Sequence, residues 1–595
     1  MTTQIESFSH GATRAILTDG SAALRDFSSP DSPEQHLAIA RSFVYRVVSE
    51  YWKRMSMVKV SPWPLRKLPA VITLAPLTDD AQFLARKLGT TAARLDVARA
   101  GYRIGVLYTG SMPEETRAKM GAHYTPPALC ERLLDMATGA GVDWLRAKVL
   151  DPACGGGAFL SPLARRMATA LEGCGAETVL RSIERRLSGN ELDPFAAWLS
   201  EVFLDAAIAD VCRAAGRRLN SVVRVCDTLE QFPGMNRYDL VVGNPPYRRV
   251  TLPAKQRERF GRSLFGHANL YGLFTDMALR YARSDGVIAY VTPTSFLSGE
   301  YFKALRGLLA SQAPPVGIDF IAERKGVFDD VLQETLLATY RRGREPAAAR
   351  VHCVAQDPSG SIRIVRAGSF ELPERPEEPW LIPRSARQRD LLGRVSRLRY
   401  RLADYGYTVS TGPLVWNRHK ESLRDEPAEG RYPLIWAESV RSGGVFEFRA
   451  EKRNHKPYFE PTAREQWVVT SNPCVLLQRT TAKEQSRRLI AAELPGSFIE
   501  AHGAVVVENH LNMIKPLNKT PPVSPAILTA LLNSTTVDQV FRCINGSVAV
   551  SAYELQALPL PCPNEINRLE RLTAQGARRD EFDRAVERLY RGTGG

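Results

Sequence analysis

No run of eighteen apolar residues occurs in the chain, so no membrane-spanning helix is expected. The opening stretch, MTTQIESFSHGATRAILTDG, lacks the basic-then-apolar pattern of a secretory signal. Nine cysteines, an odd number, are scattered with no C-x-x-C pair and no histidine cluster beside them. That pattern argues against a disulfide framework and against zinc, and for reduced thiols in a cytoplasmic protein. Neither an internal repeat nor a low-complexity tract is present.

What the chain does have is length and positive charge. Its 595 residues exceed one hydrophobic core and imply two to four domains. The 79 Lys and Arg against 64 Asp and Glu leave a net charge of +15, which suits a polyanionic partner and above all nucleic acid. Arginine-rich chains also drift basic without function, so charge alone does not decide the matter.

Residues 1–115 read as helical, with basic stretches such as ARKLGTTAARLDVARAGYR. From about 120 to 345, short β-rich runs alternate with amphipathic helices. KVLDPA, RRLSGNELDP, SVVRVCDTL, YDLVVGNPPY and GVIAYVTPTSF are the strands, with helices such as FLSPLARRMATALEG and NLYGLFTDMALRYARS between them. This alternation predicts a mainly parallel, doubly wound α/β sheet whose ligands bind beyond the carboxyl ends of the strands. The acidic, proline-rich ELPERPEEP marks a linker at 371–383. An arginine-studded helix from 384, RSARQRDLLGRVSRLRYR, opens a second domain that is β-rich from about 405 and runs to 563, and 564–595 reads as a charged helix.

Two loops stand out. DPACGGGAFL (151–160) places three glycines between a strand and a helix. No P-loop lysine follows and the dinucleotide spacing is not met, so a nucleoside-bearing ligand without a phosphate cradle fits better. The next two strands end in Glu191 and Asp227. Alone, either could be a turn acid or a helix cap. With the glycine loop upstream, Glu191 is placed to take both ribose hydroxyls and Asp227 to accept an adenine amine, so that S-adenosylmethionine is the expected cofactor. In YDLVVGNPPYRRV (238–250) two prolines rigidify the exit from a strand and hold Asn244 out of helical geometry. The Asn244 amide oxygen and the Pro245 carbonyl then form a pair of acceptors for a planar amino group, while Tyr247 offers a face for the ring that bears it.

With these residues in hand, the chain resembles the γ-class adenine-N6 methyltransferases of type II restriction–modification systems over roughly residues 115–563. The family's first cofactor motif is similar to GAHYTPPALCERLLD, which implies contacts from Tyr124, Thr125 and Pro126. DPACGGGAF and GNELDP match the next two motifs, implying that Asp151, Ala153, Cys154, Gly155 and Glu191 hold the cofactor. Asp227 matches the adenine-amine contact, and Asn244, Pro245, Pro246 and Tyr247 the catalytic motif, with Asn244 also at the cofactor. ERKGVFDDVLQET resembles the element that supplies a second aromatic against the base, so Phe328 joins Tyr247 as a stacking candidate, a core phenylalanine being the other reading. The resemblance implies a Rossmann-like methyltransferase domain over 116–370, followed by an α+β target-recognition domain over 384–563. In the latter, Arg479, Lys483, Arg487 and Arg488 are candidate phosphate contacts or a solvated helix face.

The implied activity is methylation of the N6 amine of an adenine flipped out of double-stranded DNA. The implied role is protection from a cognate restriction endonuclease carried by a separate protein. A cytoplasmic monomer with no metal and no membrane contact is expected. Other classes remain: an RNA or protein-glutamine amino-methyltransferase, or a DNA-binding specificity module with an inactive catalytic fold. A fused nuclease lacks a convincing set of metal-binding carboxylates. A cytosine-C5 enzyme would need its cysteine after proline near the glycine loop, whereas Pro473-Cys474 and Pro561-Cys562 lie far along the chain.

Overall fold

The computed structural model describes residues 32–57, 63–120, 124–231, 236–321, 334–356, 361–395, 397–481, 487–545 and 549–591. They fall into two compact units, Met1–Pro293 with Gly307–Val365, and Thr294–Arg306 with Arg366–Gly595.

The first unit is built on a nine-stranded sheet. Its strands are β1 (Val149–Asp151), β2 (Leu187–Glu191), β3 (Val223–Val225), β4 (Tyr238–Gly243), β5 (Ala282–Pro293), β6 (Pro315–Ile321), β7 (Thr335–Arg341), β8 (Ala349–Gln356) and β9 (Ile362–Phe370). They lie in the order β9-β8-β6-β7-β5-β4-β1-β2-β3. The five strands from β5 to β3 are parallel. β7 runs antiparallel to both β5 and β6, so the sheet is mixed rather than mainly parallel throughout. An antiparallel strand needs no helical crossover to return beside its neighbour, which is how β7 enters without breaking the layer.

Both faces of the central strands are covered. Leu240 and Val242 of β4, with Val287, Ala289 and Val291 of β5, share a core with Leu133, Leu163 and Leu180. These three come from helices packed against the sheet. The alternate residues Val241, Ile288 and Tyr290 are buried on the opposite side, where the Tyr290 hydroxyl donates to Phe274 O at 3.3 Å. A period-two alternation in which both sets are apolar belongs to a strand buried on two faces.

The helices of this unit, in chain order, begin with α1 (Pro33–Met57), α2 (Asp79–Ala92), α3 (Val97–Ser111), α4 (Glu114–Met120), α5 (Pro127–Gly139), α6 (Leu160–Ala170), α7 (Ala176–Arg186) and α8 (Pro194–Ala207). In α1, Ala40, Phe43, Val44, Val47, Val48 and Tyr51 recur at helical spacing and are all fully buried. Thr78 and Asp96 cap α2 and α3 by accepting from Ala81 N and Arg99 N. The core of these three helices continues into Phe195, Trp198, Leu199, Val202 and Phe203 of α8. The amino-terminal helices therefore share their core with the sheet's unit. Gly157 makes a second close approach possible: it has φ +84, and a Cβ there would lie 2.9 Å from Ser200 Cα in α8.

In the second unit, strands Tyr407–Thr411, Leu511–Pro516, Cys474–Gln478 and Ala491–Leu494 form one sheet, and a five-stranded sheet stands apart from it. Val475, Leu477 and Ile514 join the helices through Leu528 and Val537, whereas Cys474, Leu476 and Met513 join Ile435, Val505 and Val507. The terminal charged segment is two helices, Asn567–Ala574 and Arg579–Arg591, broken where Gly576 takes φ +65. Ala585, Val586 and Tyr590 bury themselves in the unit's main core, so 564–591 belongs to this unit. The helix expected from residue 384 is confined to Arg389–Val395.

The stretch expected to be a linker is packed instead. Trp380 and Ile382 are fully buried, and Trp380 N donates to Leu297 O. The cause is Arg306, whose buried guanidinium donates to the carbonyls of Phe296, Gly299, Glu377 and Glu378 and to the Tyr553 hydroxyl. Proline-rich composition supplies carbonyls that no helix or strand consumes, and this arginine satisfies them.

In the first unit, Arg66 donates through Nε and Nη2 to both oxygens of Asp205 at 2.7 Å and lies 3.1 Å from Glu201. Asp205 is 3% exposed. Arg66→Ala takes the nearest counter-charge from both carboxylates and leaves Asp205 with Arg218 at 3.5 Å, and urea denaturation should show a loss of about 3 kcal/mol.

Candidate active site

Strand order reverses between β1 and β4: β2 and β3 extend to one side of β1 and β4 lies on the other. Such a switch point opens a crevice beyond the strand carboxyl ends. A cavity of about 230 Å³ sits there, lined by residues from the ends of β1, β2, β3 and β4, from α3 and from the segment before α5. Tyr124, Thr125, Asp151, Ala153, Cys154, Gly155, Glu191, Asp227, Asn244 and Pro246 all line it. Candidates spread over more than a hundred residues of sequence therefore converge on one place.

Asp151 ends β1 and is 1% exposed. Its Oδ1 accepts from Ala153 N at 3.1 Å, while Oδ2 is buried with no hydrogen-bond partner. Burial, with Glu191 as a neighbouring negative charge, pushes its carboxyl up to about 8. The last residue of β4 comes close beside it. A Cβ at Gly243 would lie 2.8 Å from Asp151 Oδ1, so the crevice requires glycine there.

Glu191 ends β2. Its Oε2 accepts from Gly155 N at 2.8 Å and its Oε1 from Asp193 N at 2.9 Å, so one carboxylate ties the glycine loop to the turn entering α8. Burial raises its pKa as well. Asp227 is exposed at the rim and accepts from Leu229 N at 2.9 Å; Thr228 donates to Pro152 O at 2.6 Å, which joins this turn to the glycine loop. Cys154 is 4% exposed and burial lifts its thiol well above the usual range, which suits packing rather than nucleophilic attack.

Pro126 caps α5, and Thr125 before it is 2% exposed. Thr125 Oγ1 accepts from Asn244 Nδ2 at 3.1 Å, fixing which face of the amide is donor and which is acceptor. The Asn244 oxygen accepts from the Tyr247 hydroxyl, which also lies 3.2 Å from Val291 O of β5. Tyr247 meets the edge of Tyr271, with ring centroids 6.1 Å apart at 84°, and burial raises its phenol. Pro245 is buried between these groups in the chain.

Several residues that sequence reasoning passed over belong to this site. Leu192, 61% exposed, lines the cavity between Glu191 and Asp193. Tyr108, Thr109 and Met112 reach it from α3. Gly105 of α3 and Gly156 of the loop seat the expected Tyr124 between them, an added Cβ on either coming within 2.0 and 2.5 Å of its ring and hydroxyl. The sequence signal available for these was the pairing of small residues with a large aromatic, which carries no register between distant elements.

Phe328 and Lys483 lie outside the described residues. Arg479, Arg487 and Arg488 belong to the second unit. Arg488 is 9% exposed, and Arg487 donates to Thr535 Oγ1 at 2.9 Å with Asp583 nearby. These two are thus tied into the unit's own packing. Arg479 is half-buried and donates to Asn509 O at 3.2 Å. Among the described residues no cluster suited to a metal occurs, and no helix is long and apolar enough to cross a membrane.

A family model described as Eco57I restriction-modification methylase matches residues 213–328, a span that takes in β3, β4, the Asn244–Tyr247 loop and β5. The methylase likeness extends beyond that span. Type II methyltransferase M.BsuBI of Bacillus subtilis is 28% identical over 332 residues, 55% of this chain and 65% of that protein. M.PstI of Providencia stuartii is 27% identical over 336 residues, 56% of this chain and 66% of its own length. The matches thus take in just under two thirds of each of these relatives. Among solved structures, the type IIL restriction-modification enzyme MmeI in complex with DNA superimposes with a TM-score of 0.56 at 13% identity, covering 98% of this chain and 96% of that one. The DrdV–DNA complex gives 0.52 at 11%, covering 95% and 72%. At these identities the likeness speaks for the fold alone.

The raised Asp151 carboxyl has a pH consequence. Its folded state keeps a proton that the unfolded chain has already released, so this group lowers stability as pH rises from about 4 to about 8. Asp151→Asn removes the titration, and urea melts of the protein without added ligand should show a shallower decline across that window than the wild type does.

Proposed function

We propose that the chain is a site-specific DNA methyltransferase that moves a methyl group from S-adenosylmethionine to the N6 amine of an adenine turned out of duplex DNA. The observation that carries this reading is the single cavity at the β1/β4 switch point, in which the glycine loop, Glu191, Asp227 and Asn244 meet. The match to a restriction-modification methylase model supports the reaction class.

The cavity suits that cofactor. Asp151 Oδ2 is a buried oxygen with no hydrogen-bond partner, and the ammonium of an amino acid brought there would favour its ionised form over the protonated one that burial otherwise keeps. Glu191 keeps lone pairs beyond its two backbone donors for a vicinal diol, and Leu192 offers an apolar surface to a planar ring. S-adenosylmethionine, when bound, supplies a sulfonium methyl open to direct attack by an amine.

Asn244 then does the positioning. Thr125 holds its amide nitrogen, leaving the oxygen to accept, and the Tyr247 hydroxyl stands where a donor from the target amine belongs. The Asn244 oxygen and Pro245 carbonyl take the amine's two hydrogens, which turns the nitrogen lone pair toward the methyl and stabilises positive charge growing on nitrogen. Tyr247 supplies the stacking face, steadied by Tyr271. The choice of adenine over cytosine rests on the resemblance of Asn-Pro-Pro-Tyr to the adenine enzymes, since either amine meets the same acceptors.

The second unit is assigned recognition of the DNA sequence, and the net charge of +15 favours a phosphate-lined partner whose affinity falls with salt. Protection of DNA against an endonuclease on a separate chain is the corresponding role.

The test is expression in a host whose DNA is otherwise unmethylated, followed by genome-wide single-molecule mapping of modified bases. The wild type should leave N6-methyladenine in one short sequence context. Asn244→Ala should cut the rate by at least about a hundredfold, the scale for removing one preorganised polar group from a transition state. A folded, cofactor-binding wild type that leaves DNA unmodified rejects this reading and turns attention to RNA and protein amides.

A further inference from the structure

We infer that Arg41 of α1 and Tyr108 of α3 are positioning residues for the ribose of the cofactor, acting through Asp193 on the carboxylate of Glu191. The inference rests on the cofactor reading given above, and assigns a task to an amino-terminal helical region that the methylase match does not include.

The chain of contacts is short and buried. Glu191 Oε1 accepts from Asp193 N at 2.9 Å, so the orientation of the peptide at Asp193 sets the orientation of that carboxylate. Asp193 is 3% exposed and caps α8, with Oδ1 accepting from Phe195 N at 3.2 Å and Oδ2 from Ala196 N at 3.3 Å. A helix cap is complete at that point. Two further donors nevertheless converge on it from far along the sequence. Tyr108 Oη donates to Oδ2 at 2.7 Å, and Arg41 Nη2 donates to Oδ1 at 2.9 Å. Arg41 Nε also lies 3.4 Å from the Tyr108 hydroxyl.

The extra donors have an electrostatic purpose beside Glu191. Two carboxylates two residues apart in one turn repel, and Asp193 is among the groups that raise the Glu191 pKa. Arg41 supplies the opposing charge and Tyr108 fixes the rotamer. Together they let Glu191 stay ionised and aimed as an acceptor for hydroxyls. The same helix α3 contributes Thr109 and Met112 to the cavity wall and seats Tyr124 against Gly105. Helices α1 and α3 are in this sense part of the cofactor site.

The experiment measures binding of S-adenosylhomocysteine to the full chain by calorimetry, alongside steady-state methylation kinetics. Tyr108→Phe and Arg41→Gln should each weaken binding about fivefold to tenfold, the range for losing one ordinary hydrogen bond, since both act through Asp193 and not on the ligand. The KM for the cofactor should rise in step while kcat at saturation stays within about twofold. Arg41→Lys, which keeps the charge, should recover most of the affinity. In a Glu191→Gln background, Tyr108→Phe should add nothing further, because the group it positions is gone. An equal loss from Tyr108→Phe with and without the Glu191 carboxylate, or a fall in kcat with KM unchanged, overturns the inference and leaves the cofactor reading standing. A wild type that binds no S-adenosylhomocysteine overturns both.

Discussion

The Glu191 carboxylate, holding Gly155 N on one oxygen and Asp193 N on the other, is the tie on which the rest of the site depends. A parallel sheet ends in loops whose backbone donors have no ladder to join, and a glycine-rich loop has no side chains with which to satisfy itself. One acid at the end of β2 resolves both problems by locking the loop after β1 to the turn before α8. The loop can then lie against α8 at Gly157 and under Tyr124 at Gly156, and those approaches bring α3 and α5 to the cavity rim. A substitution at Glu191 therefore touches more than one ligand contact, because it releases the loop that shapes the cavity.

The catalytic loop depends on a second constraint, the polarity of one amide. Asparagine presents a donor and an acceptor of nearly the same shape, and an amine target tolerates only one arrangement. Thr125 takes the donor from before α5, and the Tyr247 hydroxyl meets the acceptor from the loop after β4, itself 3.2 Å from the Val291 carbonyl of β5. Three separate elements thus agree on which way Asn244 points. Two adjacent prolines limit the backbone to a geometry in which that agreement holds.

Arginine plays an unusually large internal part in a chain that is basic overall. Arg66 joins the segment after α1 to α8, Arg306 gathers four carbonyls of irregular backbone and the Tyr553 hydroxyl, and Arg487 and Arg488 lie within the second unit's packing. Each of these guanidinium groups has its planar fork of donors matched to carboxylates, hydroxyls or carbonyls inside its unit. Among the described residues, nine buried Asp and Glu stand against three buried Arg, so burial removes more acid than base from the surface.

Local chemistry was legible in the sequence by itself. The order of strands and helices from 148 to 293, the glycine loop, the acids at the exits of β2 and β3, and the rigid exit at Asn244–Tyr247 follow from residue types whose backbone preferences act within a few positions. Hydrophobic alternation, glycine at tight approaches and proline at fixed φ need no distant partner to take effect. Only the tertiary structure decided the rest. β7 slots antiparallel between β5 and β6, the proline-rich stretch at 371–383 folds around Arg306, and Arg488 turns inward. Arg41 and Tyr108 meet Asp193 across 152 and 85 residues. The physical reason is the same in each case: a hydrogen bond or ion pair between distant residues leaves no periodicity in the chain, and exists only once packing has brought its two ends together.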